Sequence, residues 1–264
     1  MRPLRLMAVL AHPDDESLGV GGTLAKYAAE GVDVFLVTAT RGELGSYQGI
    51  RRDDPRHPGP SALGKIREAE LRAAATELGV CDVTLLDYCD GQLDAADAWQ
   101  AVAAVAVHLR RVRPDVVVTF GPDGAYGHPD HIAISQFATA AIVAAADAAY
   151  SVSKLYYIAW PASTWAAYEA GVNRLSARVD GVDRVAMPWP DWAITTVIDT
   201  RDVWPAVWRA VSCHESQIAA YDRLKHLTPE HHEQLWGRQS FYRAFSTVNG
   251  GRTRETDLFE GMRV

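Results

Sequence analysis

Five short apolar runs alternate with helix-forming stretches over residues 1–160, and this alternation restricts the possible fold more than any other feature of the sequence. The apolar runs are rich in β-branched residues and lie at Leu4–Leu10, Val32–Ala39, Val83–Tyr88, Val116–Phe120 and Leu155–Trp160. The helical stretches between them are Leu18–Glu30, Gly64–Leu78, Ala96–Val112 and His131–Ala148. Short, continuously apolar strands that alternate with helices predict an α/β fold, with a mostly parallel sheet covered by helices on both faces.

The pattern loosens after Pro161, so we place a soft boundary near residue 160. Residues 1–160 are predicted to form the core, and residues 161–264 a C-terminal α+β cap that packs on it, with one undivided domain as the alternative. Within the cap we predict extended segments at Val185–Trp192 and Ala193–Asp199, and helices at Val203–Cys213, His214–Tyr221 and Gln234–Phe245.

The segment Thr40–Leu63 lies between the second strand and the second helix and differs in composition from the rest of the core. Its glycines and prolines are Gly42, Gly45, Gly49, Pro55, Pro58, Gly59 and Pro60. A loop of this length inside a compact domain is typical of a functional or mobile segment. A lid that closes over a substrate is one interpretation of it.

Charge and hydropathy argue against two classes of partner. The 264 residues have a formal net charge of −7, which disfavours a nucleic-acid backbone as the main partner. No run of about 18 apolar residues occurs, so no membrane span is predicted. The short apolar N-terminus leads into a charged motif instead of a cleavage site, and we therefore interpret it as a first strand and expect a cytoplasmic protein.

The cysteines and two of the tryptophans give weaker indications. Cys81, Cys89 and Cys213 form no Cys-x-x-Cys pair, and we expect buried, reduced thiols. Trp189 and Trp192 flank a Pro-Asp pair, which is typical of an exposed turn or of a contact between subunits. A homo-oligomer is therefore one option for the assembly.

The strongest local signal is the sequence Ala-His-Pro-Asp-Asp-Glu at Ala11–Glu16, directly after the first predicted strand. The carboxyl ends of parallel strands are where open α/β sheets bind their ligands. Carboxylates packed this closely repel one another unless a cation or hydrogen bonds offset their charge. The motif therefore favours a binding site over a purely structural turn.

A second motif, Gly-His-Pro-Asp-His at Gly127–His131, follows the fourth apolar run through the segment Gly121–Tyr126. In a parallel sheet both loops emerge at the same edge, so we expect the two motifs to converge. Together they bring three histidines and several carboxylates to one place. The alternative for each motif taken alone is a helix N-cap on a solvated loop.

Imidazole and carboxylate are ligand types that zinc accepts, and three protein ligands with one open position form the catalytic pattern. In such sites the pKa of the bound water falls to about 7, and a neighbouring carboxylate can accept its proton. Asp14 and Asp15 are adjacent in sequence, so one as ligand and the other as general base is a natural division. The spacing alone does not decide which histidines are ligands.

The chain resembles the N-acetylglucosaminyl-phosphatidylinositol de-N-acetylase family, also called PIG-L or LmbE-like deacetylases. The resemblance rests on the motifs at Ala11–Glu16, Gly21–Thr23, Thr40–Gly45 and His128–His131, and extends loosely over the first 160 residues. The segment His214–Gln217 is similar to a late feature of the family. The resemblance implies a Rossmann-like fold, a bound zinc ion, with another divalent metal such as ferrous iron as an option, and amide hydrolysis.

Carried over from the family motifs, the metal ligands are His12, Asp15 and His131, and the general base is Asp14. The resemblance thus implies a hydrolase that removes the acetyl group from an N-acetylglucosamine-type sugar or a related small conjugate. Retention of Asp14 beside the ligand set argues against a catalytically inactive metal-binding homologue, which is one alternative. Hydrolysis of another amide or ester bond is the other.

Further roles follow from the same resemblance. His128 matches the histidine that stabilises the oxyanion or protonates the leaving amine, Asp130 would orient His128, and Tyr126 would assist at the tetrahedral intermediate. Arg67 and Asp90 match residues that contact the sugar, with a surface ion pair and a turn residue as their respective alternatives.

Other enzyme classes fit the motifs less well. A phosphoesterase normally needs a second metal and more acidic residues at the loop ends. The glycines at Gly19–Gly22 lack the third glycine of the dinucleotide-binding fingerprint. No Gly-x-Ser-x-Gly sequence is present, which disfavours a serine hydrolase.

Overall fold

The computed structural model describes residues 2–171, 176–179, 182–251 and 253–263. Within these ranges the strands are β1 (Arg5–Leu10), β2 (Asp33–Thr40), β3 (Asp82–Tyr88), β4 (Val116–Phe120), β5 (Lys154–Ile158), β6 (Ser176–Val179), β7 (Val182–Val185), β8 (Thr196–Asp199) and β9 (Arg238–Ser246). The helices are α1 (Asp15–Ala29), α2 (Pro60–Glu77), α3 (Ala98–Val112), α4 (Gly124–Gly127), α5 (Pro129–Ala145), α6 (Ala162–Gly171), α7 (Trp204–Cys213) and α8 (Pro229–Trp236). Three 3₁₀ segments lie at Leu93–Ala95, Asp191–Ala193 and Ile218–His226.

Seven strands form the main sheet in the order β3-β2-β1-β4-β5-β9-β8. The first five pair in parallel, whereas β9 is antiparallel to both β5 and β8. The predicted mostly parallel α/β sheet is therefore confirmed. The strand order reverses between β1 and β4, and such a switch point opens a crevice at the carboxyl ends of the strands.

Helices cover both faces of the sheet, as the handedness of the crossovers requires. The steps from β1 to β2 and from β2 to β3 run in one direction, and those from β3 to β4 and from β4 to β5 run in the other. Because crossovers between parallel strands are right-handed, α1 and α2 lie on one face and α3 and α5 on the opposite face. On these two faces α3 packs against α5, and α1 and α2 contact α7.

The central strands form the densest part of the core. Every residue of β4 is buried, and so is every residue of β1 after Arg5. Strands buried on both faces need apolar side chains in succession instead of alternation, which is the pattern of Val116–Phe120. These two strands carry the histidine motifs at their carboxyl ends, so the motifs are attached to the most rigid part of the molecule.

The C-terminal residues extend the main sheet as well as packing on it. β9 lies between β5 and β8, and its Phe241 is 1% exposed. The prediction of a helix at Gln234–Phe245 is wrong, because α8 ends at Trp236 and β9 begins at Arg238. Hydrogen bonding to strands on both sides outweighs the local preference of this aromatic segment. The predicted helix at Val203–Cys213 is confirmed as α7.

Other parts of the cap were predicted only roughly. The segment predicted as a helix at His214–Tyr221 forms a 3₁₀ turn, which begins at Ile218. The antiparallel hairpin of β6 and β7 was not predicted, and only its last residue, Val185, falls in the predicted extended stretch. Exposed side chains along β7 give this hairpin no apolar alternation for a sequence pattern to detect.

A buried polar network attaches the C-terminal tail to the sheet. Glu255 accepts hydrogen bonds from Lys154 Nζ at 2.8 Å and from Tyr156 Oη at 2.8 Å. Thr196 Oγ1 and Arg243 Nη1 also donate to its carboxylate, at 2.9 and 2.7 Å. Lys154 and Glu255 are both almost fully buried, and each therefore depends on the other to offset the loss of hydration.

Two remaining expectations concern cysteines and membranes. Cys81, Cys89 and Cys213 are free thiols, but Cys81 and Cys89 are exposed, so the expectation that they are buried was wrong. Both lie at the ends of β3, where the loops keep them at the surface. Across the part of the chain that the structure describes, we find no helix that is both long enough and apolar enough to cross a membrane.

Candidate metal centre and active site

The two histidine motifs meet at the carboxyl edge of β1 and β4. Because these strands are neighbours, the loops that follow them open into one cavity of about 310 Å³. The cavity is lined by His12, Asp14, Asp15, Leu18, Gly19, Gly45, Arg67, Asp90, Phe120, Ala125, Tyr126, His128, His131, Trp160, Tyr168 and Gln217. Eight of the nine predicted site residues are among them, and the ninth, Asp130, is buried against His12.

Three ligand-type side chains surround one point in this cavity. His12 Nδ1 lies 3.2 Å from His131 Nε2 and 3.6 Å from Asp15 Oδ2, and His131 Nε2 lies 3.4 Å from Asp15 Oδ1. Ligand bonds of about 2.1 Å in tetrahedral geometry separate the ligand atoms by roughly 3.4 Å. These distances therefore fit a single zinc-sized cation, which the three side chains would hold.

Backbone hydrogen bonds hold Asp15 in this geometry. Its Oδ2 accepts from the backbone N of His12 at 2.7 Å and of Ala11 at 3.2 Å. Burial alone would raise the pKa of Asp15, but the neighbouring His131 and His12 lower it below its ordinary value. The carboxylate is thus held ionised, as a metal ligand must be.

The two candidate histidine ligands differ in their electrostatic surroundings. Burial lowers the pKa of His131 to about 3, so its imidazole is neutral and offers a lone pair. Burial would also lower the pKa of His12, but contacts with Asp130, Asp15 and Asp90 raise it well above its ordinary value. This excess of negative charge around His12 favours a cation at the same place.

Asp130 contacts two histidines of the site. Its Oδ2 lies 3.1 Å from His12 Nε2, and its backbone N donates to His128 Nδ1 at 3.2 Å. The role of orienting His128 stays a prediction, and the contact of the carboxylate with His12 is an addition to it. Backbone N–H groups of Gly91 and Leu93 donate to the Asp130 carboxylate at 2.7 and 3.0 Å, and they turn it toward His12. A carboxylate on the far nitrogen of a ligating histidine is a common feature of metal sites.

Asp14 lies beside the ligand set in an unusual backbone conformation. Its φ angle is 105°, in the left-handed region that non-glycine residues rarely adopt. Arg67 Nη2 donates to Asp14 Oδ2 at 3.1 Å, and also to the carbonyl of Pro13. Glu16 Oε2 accepts from the backbone N of Asp14 at 2.9 Å. The predicted base is thus held from both sides.

Arg67 was predicted to contact the substrate, and the structure gives it protein partners as well. Besides Asp14, its Nη1 donates to the carbonyl of Gly42 at 2.8 Å. Gly42 has a positive φ of 61°, and a side chain there would collide with the guanidinium. The approach of the loop to Arg67 therefore requires glycine at this position.

His128 and Tyr126 lie on the open side of the ligand set. The rings of His128 and His131 stack at 4.7 Å, and Tyr126 contacts both edge-on at 5.9 and 5.4 Å. Burial and the charge of His12 lower the pKa of His128, so its imidazole is neutral. Because Nδ1 of His128 accepts a hydrogen bond, its proton is on Nε2, which makes that atom a donor.

Asp90 lies against His12, a candidate metal ligand, as well as facing the cavity. Its Oδ1 is 3.2 Å from His12 Nε2, and its Oδ2 accepts from Leu44 N at 3.0 Å. Burial would raise its pKa, but the contact with His12 lowers it to about 2. Glu43, which the sequence left without a role, accepts from the backbone N of Asp90 at 2.9 Å and connects the Thr40–Leu63 loop to this wall.

Sequence reasoning left out one pair of residues at the site. Glu16 and His214 are fully buried, and His214 Nε2 lies 2.7 Å from Glu16 Oε1. Glu16 belongs to the first motif and His214 to the late family feature, but nothing in their spacing indicates that they touch. The one indication in the sequence was that each of these two motifs contains an ionisable residue, Glu16 or His214, to which no role had been assigned.

The cavity has a polar and an apolar wall. Arg67, Gly45 and Gln217 cluster on the polar side, where Gln217 Nε2 donates to the carbonyl of Ser46 at 2.8 Å. On the other side Trp160 stacks on Tyr168 with centroids 4.8 Å apart, and the hydroxyl of Tyr168 donates to the carbonyl of Leu18. A ligand with one hydroxylated and one apolar face matches this division.

The site combines two histidines and a carboxylate around one point with a spare carboxylate beside them. On a Rossmann-like sheet, this combination is typical of metal-dependent hydrolases. Residues 7–142 match the family described as PIG-L: GlcNAc-PI de-N-acetylase. The chain belongs to this family of de-N-acetylases, and the resemblance seen in its motifs is confirmed.

Relatives with assigned activities align along most of the chain. A protein of Rhodococcus jostii is 39% identical over 246 residues, covering 83% of each chain. One of Kineococcus radiotolerans is 34% identical over 309 aligned positions, covering 99% of this chain and 84% of the relative. Both are described as 1D-myo-inositol 2-acetamido-2-deoxy-alpha-D-glucopyranoside deacetylases.

The fold by itself supports more than one chemistry. The structure of 4-carboxy-2-hydroxymuconate hydratase from Pseudomonas putida superimposes with a TM-score of 0.69 at 18% identity, covering 94% of this chain and 99% of that one. This likeness shows the fold alone. The reaction must therefore be argued from the side chains of the site.

Proposed function

We propose that this protein is a zinc-dependent hydrolase that removes the acetyl group from an N-acetylglucosamine-type small molecule, with Asp14 as general base. The observation that supports it most is the triangle of His12, Asp15 and His131 atoms, 3.2 to 3.6 Å apart, with the Asp14 carboxylate at the same cavity. A structural metal site has no use for an additional, separately held carboxylate.

The ligand set suits zinc and also accepts ferrous iron, since imidazole and carboxylate bind both. When bound, either cation would polarise the acetyl carbonyl and lower the pKa of an attacking water. The two metals can be compared by removing bound metal from the protein, loading it with zinc or with ferrous iron, and measuring its activity. Our proposal names zinc because the three donors match its tetrahedral geometry.

Asp14 would accept the proton of the attacking water. Its carboxylate is 3.1 Å from Arg67 Nη2, and this contact fixes the direction in which its second oxygen points. Both residues line the cavity, which brings the base within reach of a bound amide.

His128 would donate a hydrogen bond from its Nε2 to the oxygen of the acetyl group as negative charge develops there, and the proton that Asp14 takes from the water would pass to the leaving amine. A preorganised donor of this kind contributes strongly because the cavity walls exclude water. Tyr126 is half-buried next to His128, and desolvation raises the pKa of its hydroxyl, so it would remain protonated and could serve as a second donor.

The cavity volume of about 310 Å³ suits a sugar with a small aglycone. Arg67, Asp90 and Gln217 would bind hydroxyl groups, while Leu18 and Trp160 would contact an apolar face of the sugar ring or the aglycone. The relatives from Rhodococcus and Kineococcus act on a glucosaminide of inositol, so we place that compound first among the candidate substrates. A cytoplasmic location and a homo-oligomer remain predictions.

The test measures the acetate that the zinc-loaded protein releases from a panel of acetylated substrates. The panel would include N-acetylglucosaminyl-inositol, N-acetylglucosamine, N,N′-diacetylchitobiose and an O-acetyl ester of similar size. Asp14→Asn is the active-site variant, and Asp53→Asn, at an exposed loop position, is its control. We expect release from at least one amide, unchanged in Asp53→Asn and lowered roughly 10²–10⁴-fold in Asp14→Asn with zinc still bound at one equivalent.

Two results would contradict the proposal. Zinc at one equivalent with no acetate from any amide would exclude the deacetylase activity for this panel. Acetate release from the ester alone would support the alternative, in which the protein hydrolyses a different acyl bond.

A further inference from the structure

We propose that His214 is a positioning residue for Asp14, and that it acts through Glu16 without touching the substrate. The inference rests on the proposed role of Asp14 as general base. It concerns a residue of the C-terminal region, 198 positions away from Glu16 in sequence. Among the described residues, His214 is not part of the cavity lining, so a direct role on the substrate is not available to it.

Asp14 has a conformation that needs support from its surroundings. With φ at 105° and ψ at −24°, it lies outside the regions that residues with a Cβ atom favour. Backbone conformations of this kind are unfavourable for residues with a Cβ atom and persist only where neighbouring groups determine them. A base whose direction depends on a strained backbone is sensitive to whatever holds that backbone.

Glu16 supplies that support through its carboxylate. Its Oε2 accepts from the backbone N of Asp14 at 2.9 Å. Its Oε1 accepts from Ser17 Oγ at 2.5 Å and faces His214 Nε2 at 2.7 Å. Glu16 is 0% exposed, so its carboxylate needs such partners to offset the loss of hydration, and His214 is the most distant of them in sequence.

His214 makes this contact through one nitrogen only. Within the described part of the chain, its Nδ1 has no hydrogen-bond partner, although the ring is 0% exposed. Burial would lower the pKa of His214, but the facing carboxylates of Glu16 and Asp14 raise it, against an opposing effect of Arg67. The hydrogen-bond contact that the His214 ring makes is thus directed at Glu16.

The segment that carries His214 is itself anchored. Ser216 donates to Glu70 of α2 through its backbone N at 2.7 Å and through its Oγ at 2.6 Å. Its carbonyl accepts from Gln48 N at 2.6 Å, in the long loop after β2. His214 therefore presents Nε2 to Glu16 from a fixed place, as a positioning residue must.

Two substitutions of His214 test the contributions of its two ring nitrogens separately. In His214→Gln the amide nitrogen can occupy the place of Nε2, and in His214→Asn it falls at the place of Nδ1. Because Nδ1 has no partner, we expect His214→Gln to keep kcat within about threefold and His214→Asn to lose roughly 100-fold, the effect of a small displacement of a catalytic group. KM and zinc content should stay at the wild-type values in both.

Combination with Asp14→Asn distinguishes positioning from general damage. If His214 acts through Asp14, His214→Asn should lower the residual rate of Asp14→Asn no further, because groups that act as a unit are not additive. A full additional loss of roughly 100-fold in that background would overturn the proposal, as would equal losses in His214→Gln and His214→Asn.

Crystal structures of the zinc-loaded variants give a readout that does not depend on activity. We expect the φ of Asp14 to leave the left-handed region in His214→Asn and to stay there in His214→Gln. An unmoved Asp14 in His214→Asn would refute the inference even if the proposed reaction is correct. If the wild type cleaves no amide, the proposed function fails, and these structures still decide whether His214 positions Asp14. Should His214→Asn not fold, Glu16→Gln takes its place with the same two readouts.

Discussion

The carboxylate of Asp130 lies 3.1 Å from Nε2 of His12, on the opposite side of the imidazole ring from the nitrogen that faces Asp15 and His131. A histidine bound in this way has a fixed ring orientation and a more basic ligating nitrogen. For a cation held by His12, as proposed, Asp130 would therefore support the metal centre, in addition to the contact of its backbone N with His128.

Asp130→Asn should weaken zinc binding. Loss of the charge behind a ligating histidine costs about 10–100-fold in metal affinity, and competition with a chromophoric chelator would measure it. The matched control is Asp94→Asn, an exposed acid on the connection between β3 and α3, whose Gly91 and Leu93 donate to Asp130. Unchanged affinity together with a large drop in kcat would instead return Asp130 to a role through His128.

Arg67→Lys should lower kcat/KM by roughly 30–100-fold while zinc content stays at one equivalent. Lysine keeps the charge but cannot donate at once to Asp14, Gly42 and Pro13, because it lacks the planar fork of the guanidinium. Arg72→Lys, on the exposed face of the same helix, is the control. Wild-type kinetics for Arg67→Lys would show that charge alone holds Asp14.

Trp160→Ala should raise KM about tenfold and leave kcat within about threefold. The reason is that an aromatic contact in the cavity stabilises the bound substrate and the transition state equally, by roughly 1–2 kcal/mol. The control is Trp192→Ala, whose side chain is 86% exposed. Steady-state kinetics on the best substrate of the panel would measure both. A fall in kcat at constant KM would contradict a binding role for the apolar wall.

The stability of the C-terminal tail should depend on pH through Glu255. Burial would raise its pKa, but hydrogen bonds from Asn249, Lys154 and Tyr156 lower it from 4.5 to about 2. A carboxyl with a lowered pKa in the folded state stabilises the protein above its unfolded pKa, and this contribution is lost as the pH falls from about 4.5 toward 2.

Glu255→Gln should therefore lower the free energy of unfolding by about 3 kcal/mol at pH 7, by removing the partner of buried Lys154. The difference from the wild type should shrink as the pH falls below about 4.5. Urea denaturation between pH 3.5 and pH 7 would measure it, with the exposed Glu260→Gln as control. A difference that does not change with pH would show that packing, not charge, is responsible.

Local sequence determined the parallel core and the position of the two histidine motifs. The runs Leu4–Leu10 and Val116–Phe120 are continuously apolar because strands buried on both faces need no polar positions, so each strand could be located from its own residues. The rule that ligands bind at the carboxyl ends of parallel strands then placed both motifs at one site. The family resemblance supplied the roles of the individual residues.

Tertiary structure decided which distant residues touch. Asp130 pairs with His12 across 118 positions and His214 pairs with Glu16 across 198, and neither distance follows from a periodic pattern. For the same reason β9 was predicted as a helix, since its pairing with β5 and β8 is a property of the assembled sheet. Hydrophobic periodicity is local and can be read along the chain, whereas the partner of a buried polar group is chosen only when the whole core has formed.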